Sequence, residues 1–167
     1  MSFIINSLPE INRASRYPEE FIKNAEKRYL KEVYSAAERI ADNDNIKIVA
    51  LAGPSASGKT TTAHILCDRL AKIGEKTTVV SLDDFYLTPE QLPVLPNGSR
   101  DFESVNALNI NLIKKCFYEI ITFGKTMLPR YDFINKKSIE NDRLCDITDN
   151  GIVIVEGLHA LNPLITD

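Results

Sequence analysis

Ile46-Lys47-Ile48-Val49-Ala50-Leu51-Ala52-Gly53-Pro54-Ser55-Ala56-Ser57-Gly58-Lys59-Thr60 decides the fold of this 167-residue chain. The first seven residues are almost wholly apolar and rich in β-branched side chains, which predicts a strand buried on both faces, as in a parallel sheet. The next eight satisfy G-x-x-x-x-G-K-[ST], and helical periodicity from Thr61 to Ile73 follows. In such a loop Gly53 and Gly58 provide backbone freedom that a Cβ would obstruct. Successive amide N–H groups of Gly53, Pro54-Ser55-Ala56-Ser57, Gly58, Lys59, Thr60 and Thr61 can then line one concavity suited to phosphate oxygens; proline contributes no N–H. The helix beginning near Lys59 adds its positive end. Lys59 would reach the β- and γ-phosphates, and the Thr60 hydroxyl would hold Mg²⁺. A second Gly-Lys-Thr, at 124–126, has Glu119 where the upstream glycine belongs and follows a helical pattern; Gly124 reads instead as a helix C-terminal glycine.

Working outward, residues 1–16 have no clear period. Residues 18–41 read as a helix, with Pro18, Glu19 and Glu20 in its first turn and Phe21, Ala25, Tyr29, Val33, Ala37 and Ile40 on one face. It packs either beside the nucleotide domain or on a partner. Asp42-Asn43-Asp44-Asn45 ends it. After the loop helix, which stops at Gly74, Thr77 to Leu82 form a second strand, with Asp83-Asp84-Phe85-Tyr86 at its C-terminal end, where parallel sheets bind ligands. Two adjacent carboxylates there mark a site or merely a strand cap. A long loop spans 87–104. Asn109 caps a helix whose stripe is Leu112, Ile113, Cys116, Phe117, Ile120 and Ile121. Leu128 to Lys137 read as irregular, and 138–150 as polar, a hairpin at most. Gly151 to Gly157 form a third apolar strand, with Glu156 at its tip as a second Mg²⁺ ligand.

Composition sets the outer limits. One domain is expected, with 44% hydrophobic and 26% charged residues. A net charge of −3 argues against a nucleic-acid surface. No apolar run has the length of a membrane span, and residues 1–6 do not resemble a signal peptide. Cys67, Cys116 and Cys145 are odd in number and scattered, so free thiols in a reducing cytoplasm are expected. His64, near the loop, reads as a surface residue. Self-association into a homo-oligomer stays open.

Five segments carry a resemblance: Gly-Pro-Ser-Ala-Ser-Gly-Lys-Thr-Thr at 53–61, Ser-Leu-Asp-Asp-Phe-Tyr at 81–86, Asp-Phe-Glu-Ser at 101–104, Pro-Arg-Tyr-Asp-Phe at 129–133 and Ile-Val-Glu-Gly-Leu-His-Ala-Leu-Asn at 154–162. In that order and spacing the chain resembles the uridine kinase and phosphoribulokinase family of P-loop kinases over about residues 46–165, most nearly its bacterial uridine kinase-like domains. The resemblance implies an α/β, three-layer P-loop core with a parallel sheet and the Glu156 strand beside the P-loop strand. It implies a kinase domain at 45–167, preceded by an extension and helix at 1–44.

It further implies ATP- and Mg²⁺-dependent phosphorylation of a 5′-hydroxyl on a nucleoside, uridine- or cytidine-like, or a related sugar. Asp83 matches the acid that takes the hydroxyl proton and Lys59 the phosphate lysine. Thr60 and Glu156 match the metal ligands, and Glu103 an acid that grips ribose hydroxyls. Tyr86, Tyr131 and Phe133 match aromatics around sugar and base. Asp83 would lie across one strand spacing from the loop, about 5 Å, with Asp84 the alternative acid. Where relatives that bind uridine or cytidine carry a histidine, this chain has Lys136. The family continues beyond the equivalent of Asp167 with an arginine-bearing lid and more strands, so the chain reads as C-terminally truncated, with three strong strands where about five are usual. Two rivals remain: a non-catalytic nucleotide-binding module, and a GTPase-type switch, disfavoured because no Asn-Lys-x-Asp segment occurs.

Overall fold

The computed structural model describes residues 7–148 and 150–167. Its centre is β5 (Ile152–Gly157), every residue of which is buried. β1 (Ile48–Ala52) and β2 (Thr77–Ser81) pair with it in parallel, one on each side, giving the order β1-β5-β2. Ile154 faces one way with Val49, Leu51 and Val79, against α3 (Lys59–Ile73) and α2 (Pro18–Ala41). Val153 and Val155 face the other way with Ile48, Ala50, Ala52 and Val80, against α4 (Ile110–Phe123) and Ile165 of α5 (Pro163–Thr166). The period-2 alternation of the strands thus produces two apolar cores and three layers.

The P-loop strand departs from expectation. β1 packs into both cores, yet it is only half-buried, because it lies at a sheet edge; full burial belongs to β5. Its predicted neighbour is correct, since β1 pairs directly with the Glu156 strand.

The long helix of 18–41 is observed as α2, and the structure resolves where it packs. Val33 and Ala37 share a core with Ala63, Leu66 and Leu70 of α3. Glu38 pairs with Arg69 at 2.9 Å, and the Arg69 guanidinium stacks 5.0 Å from the Tyr34 ring centre. Of the aperiodic stretch 1–16, residues 1–6 lie outside the described residues, and Leu8–Ala14 form a short helix, α1. Asn109 caps α4 through the Leu112 N–H, and Gly124 ends it at φ 70°. A Cβ at Gly124 would come within 3.0 Å of Thr148 Cα, so both conformation and space demand glycine. Ile121, read as part of the α4 stripe, is 65% exposed; the buried face is Ile113, Cys116 and Ile120.

Residues 128–137, read as irregular, and most of the polar 138–150 stretch belong to one antiparallel hairpin, β3 (Lys125–Asp132) with β4 (Lys137–Asp146). Pro129 disguised it, since proline cannot serve a regular ladder. Here it sits where the register shifts between Leu128 and Arg130. The three cysteines are free as expected, with Cys116 and Cys145 buried and Cys67 half-buried.

Leu70 is fully buried between α2 and the sheet. Leu70→Ala is expected to lower stability by about 2–5 kcal/mol, the range for a truncated core leucine, read as a lower urea midpoint at unchanged slope.

Candidate active site

The parallel register brings three strand tips together. Leu51, Glu156 and Ser81 lie in one row across β1, β5 and β2, and each strand then turns into a loop. From β1 the chain enters the glycine loop. Gly58 is left-handed at φ 83°, and so is Ala56 at φ 57°. Gly53 does not meet the expectation of a loop glycine with special backbone angles. Its φ is not left-handed; a Cβ there would lie 2.9 Å from Ser57 Oγ and 3.3 Å from Lys59 Cγ. The loop therefore closes over Gly53. Lys59 Nζ donates to Pro54 O at 2.9 Å, which keeps the ammonium within the ring of the loop.

At the β5 tip, Glu156 is 5% exposed and accepts a hydrogen bond from Ser81 Oγ at 2.7 Å. Among the described residues no lysine or arginine pairs with it. The Glu156 carboxylate at the β5 tip and the Thr60 hydroxyl at the start of α3 make an all-oxygen donor set. It fits Mg²⁺, which keeps waters and phosphate oxygens for its remaining positions. Ser81 also caps the single 3₁₀ turn of Leu82–Phe85 by accepting from the Asp83 N–H. One hydroxyl thus ties Glu156 to the turn that presents Asp83.

The two adjacent acids of that turn face different groups. Asp84 accepts from the Tyr131 N–H and pairs with Arg143 at 3.4 Å, strapping the β3–β4 hairpin to the turn. Asp83 lines a cleft of about 210 Å³ with Tyr86, Phe102, Tyr131, Phe133 and Lys136. Its carboxyl is held above the usual aspartate range by burial, then by Glu156 and Asp84, while Lys59 opposes the shift. Because β5 separates β2 from β1, Asp83 stands two strand spacings from the loop strand, roughly 10 Å, not one.

The cleft is walled by aromatic rings: Tyr131 and Phe133 lie 4.9 Å apart, and Tyr86 packs on Phe102, Tyr131 and Phe133. Tyr86 donates to Phe102 O. Its hydroxyl pKa is raised by burial, by the Asp83 and Glu103 carboxylates and by Tyr131. Among the described residues the buried Tyr131 hydroxyl has no hydrogen-bond partner. Glu103 stands beside this cleft and not in its lining; His159 Nε2 holds its backbone carbonyl at 2.8 Å. Sequence reasoning missed Ser81 and Phe102 as site residues. The quoted segments 81–86 and 101–104 contained both, but only folding shows which side chains point inward.

The match to a family model agrees with this arrangement. Residues 48–163 match the phosphoribulokinase / uridine kinase family. The chain belongs to that family. Uridine kinase of Saccharomyces cerevisiae is 31% identical over 116 residues, covering 68% of this chain and 23% of that protein. Uridine kinase of Ureaplasma parvum is 27% identical over 114 residues, covering 68% of this chain and 54% of that protein. The chain thus spans between about a quarter and about half of the length of these relatives. In structure, a possible uridine kinase from Bacillus stearothermophilus superposes with a TM-score of 0.68 at 18% identity, over 83% of this chain and 76% of that one. D-glycerate 3-kinase from Cryptococcus neoformans gives 0.56 at 23%, over 80% and 52%. The shared fold is therefore a P-loop kinase fold. The glycine loop, Asp83, Glu156 and the aromatic cleft all fall inside the family match; α1 and α2 precede it.

A folded-state pKa above the unfolded value makes the ionised Asp83 a cost to stability. That cost is absent below the ordinary aspartate pKa of 3.8 and complete above the raised one. Asp83→Asn is expected to raise the melting temperature at pH 7, with the gain shrinking to nothing as pH falls through that window.

Proposed function

We propose that this chain carries the phosphoryl-transfer core of an ATP-dependent kinase acting on a hydroxyl of a nucleoside, uridine- or cytidine-like, or a related sugar. The observation that carries the reading is the convergence of the glycine loop, the buried Glu156 and the Asp83 cleft at the tips of adjacent parallel strands. We assign residues 45–167 to the kinase domain and 1–44 to an extension. The free thiols agree with a reducing, cytoplasmic setting. Among the described residues no helix is long and apolar enough to cross a membrane.

In this reading the amides of 53–61, except that of Pro54, hold the triphosphate, and Lys59 neutralises its terminal charge. Thr60 and Glu156 would hold Mg²⁺, which would offset the phosphate charge when bound. The acceptor lies in the aromatic cleft, its hydroxyl against Asp83 and its sugar or base against Tyr86, Tyr131 and Phe133, with Glu103 beside it. Asp83 orients the hydroxyl and accepts its proton. The raised pKa suits this role, since a carboxylate destabilised by burial binds a proton more readily. Asp84 is committed to Arg143 and the hairpin backbone, which favours Asp83 as the working acid. The roughly 10 Å between the loop strand and the Asp83 strand is the span that triphosphate and acceptor would bridge beyond the β5 tip.

Transfer of label from γ-labelled ATP to a panel of nucleosides and sugars tests the reading. Lys59→Ala is expected to weaken ATP binding by about 10- to 100-fold, the worth of a charge-assisted hydrogen bond. Asp83→Asn is expected to keep ATP binding and lose about 10²- to 10⁴-fold in turnover. ATP affinity and turnover unchanged in Lys59→Ala would refute the assignment.

A further inference from the structure

The helix preceding the family-matched region touches the phosphate loop through one chain of hydroxyls. Tyr29 of α2 lies with its hydroxyl 2.7 Å from Thr62 Oγ1 on the first turn of α3. Thr62 Oγ1 in turn donates to Gly58 O at 2.9 Å, and the Thr62 N–H donates to the same oxygen at 2.9 Å. Because Thr62 spends its one hydroxyl proton on Gly58, the Tyr29 O–H is the donor of the first link.

Gly58 O belongs to the peptide unit that also carries the Lys59 N–H. That peptide is trans, so its carbonyl and N–H point in opposite directions. Two donors gripping the carbonyl on the helix side therefore aim the Lys59 N–H out of the helix start, toward the concavity of the loop. The Gly58 backbone needs such restraint. At φ 83°, with no side chain of its own and nothing among the described residues within 4 Å of its Cβ position, Gly58 is not held by side-chain packing. Donation by Tyr29 locks the Thr62 rotor on the carbonyl and, by polarising the hydroxyl, strengthens its bond. The α2 helix is itself anchored to α3 further along, by Val33, Ala37 and the Glu38–Arg69 pair, so Tyr29 is delivered from a rigid element.

We infer that Tyr29 is a positioning residue for the phosphate loop, acting through Thr62 on the Gly58–Lys59 peptide, and that the N-terminal helix is thereby part of the nucleotide site. This rests on the nucleotide-binding reading above. Tyr29→Phe keeps the ring and removes the donor; Thr62→Val removes the middle link. Each is expected to raise the Kd for Mg-ATP about threefold to tenfold, the worth of one neutral hydrogen bond, and the double variant to be no worse than the weaker single one. In nucleotide-free protein, the Thr62 amide should exchange with solvent faster in Tyr29→Phe than in the parent. Tyr34→Phe, on the same helix but outside the relay, should change neither readout. A Tyr29→Phe protein that binds Mg-ATP as the parent does overturns the inference, as do additive effects of the two substitutions. If the parent itself binds no nucleotide, the kinase reading falls. In that case unchanged Thr62 exchange in Tyr29→Phe would overturn the relay, and faster exchange would support it as a loop restraint.

Discussion

The parallel pairing of β5 between β1 and β2 is the constraint on which the rest depends. A strand with both edges paired and both faces covered has only its ends to offer. Its C-terminal end carries Glu156, and the in-register partners there are Leu51 and Ser81. Parallel register puts all three tips on the same side of the molecule. The glycine loop, the buried carboxylate and the Asp83 turn therefore meet because the strands do. An antiparallel β5 would have sent Glu156 to the opposite end.

Around that junction, polar groups are shared and not duplicated. Ser81 serves both Glu156 and the Asp83 turn. Asp84 serves both the hairpin backbone and Arg143. Gly58 O is the common acceptor for two donors of Thr62. Such economy rigidifies the site, since moving any one group leaves a second without its partner. It also separates two neighbouring aspartates by environment: one is spent on structure, while the other faces the cleft with a raised pKa. The cleft itself is apolar wall with charge at intervals, a form suited to a small polar ligand with a flat face.

Much of this was legible in the residues. The loop, the three core strands, the α2 boundaries and the Asn109 cap follow from periodicity and punctuation, because each is decided within a few residues of itself. The family was legible for a related reason: five short segments in order are harder to match by chance than one. What was misread had non-local causes. Residues 128–137 read as irregular, yet 128–132 continue β3 past Pro129, because the register with the partner strand shifts there and accommodates the proline. β1 reads as fully buried and is only half-buried, because hydrophobic runs do not state which strand takes the sheet edge. Asp83 was placed one strand from the loop; the insertion of β5, about seventy residues further along the chain, makes it two. Phe102 and Lys136 reach the cleft from separate loops, and no local pattern announces that they share a wall.

By itself, then, the sequence determined the local chemistry: a loop able to hold phosphate, carboxylates at strand ends, a helix with one apolar face. These depend on backbone freedom, capping and side-chain period, all properties of adjacent residues. Only the tertiary structure decided which carboxylate faces the cleft, which helix packs against α3 and how many strands separate Asp83 from the glycine loop. Those are distances between segments far apart in the chain, set by strand order and by which side chains the two cores could bury together.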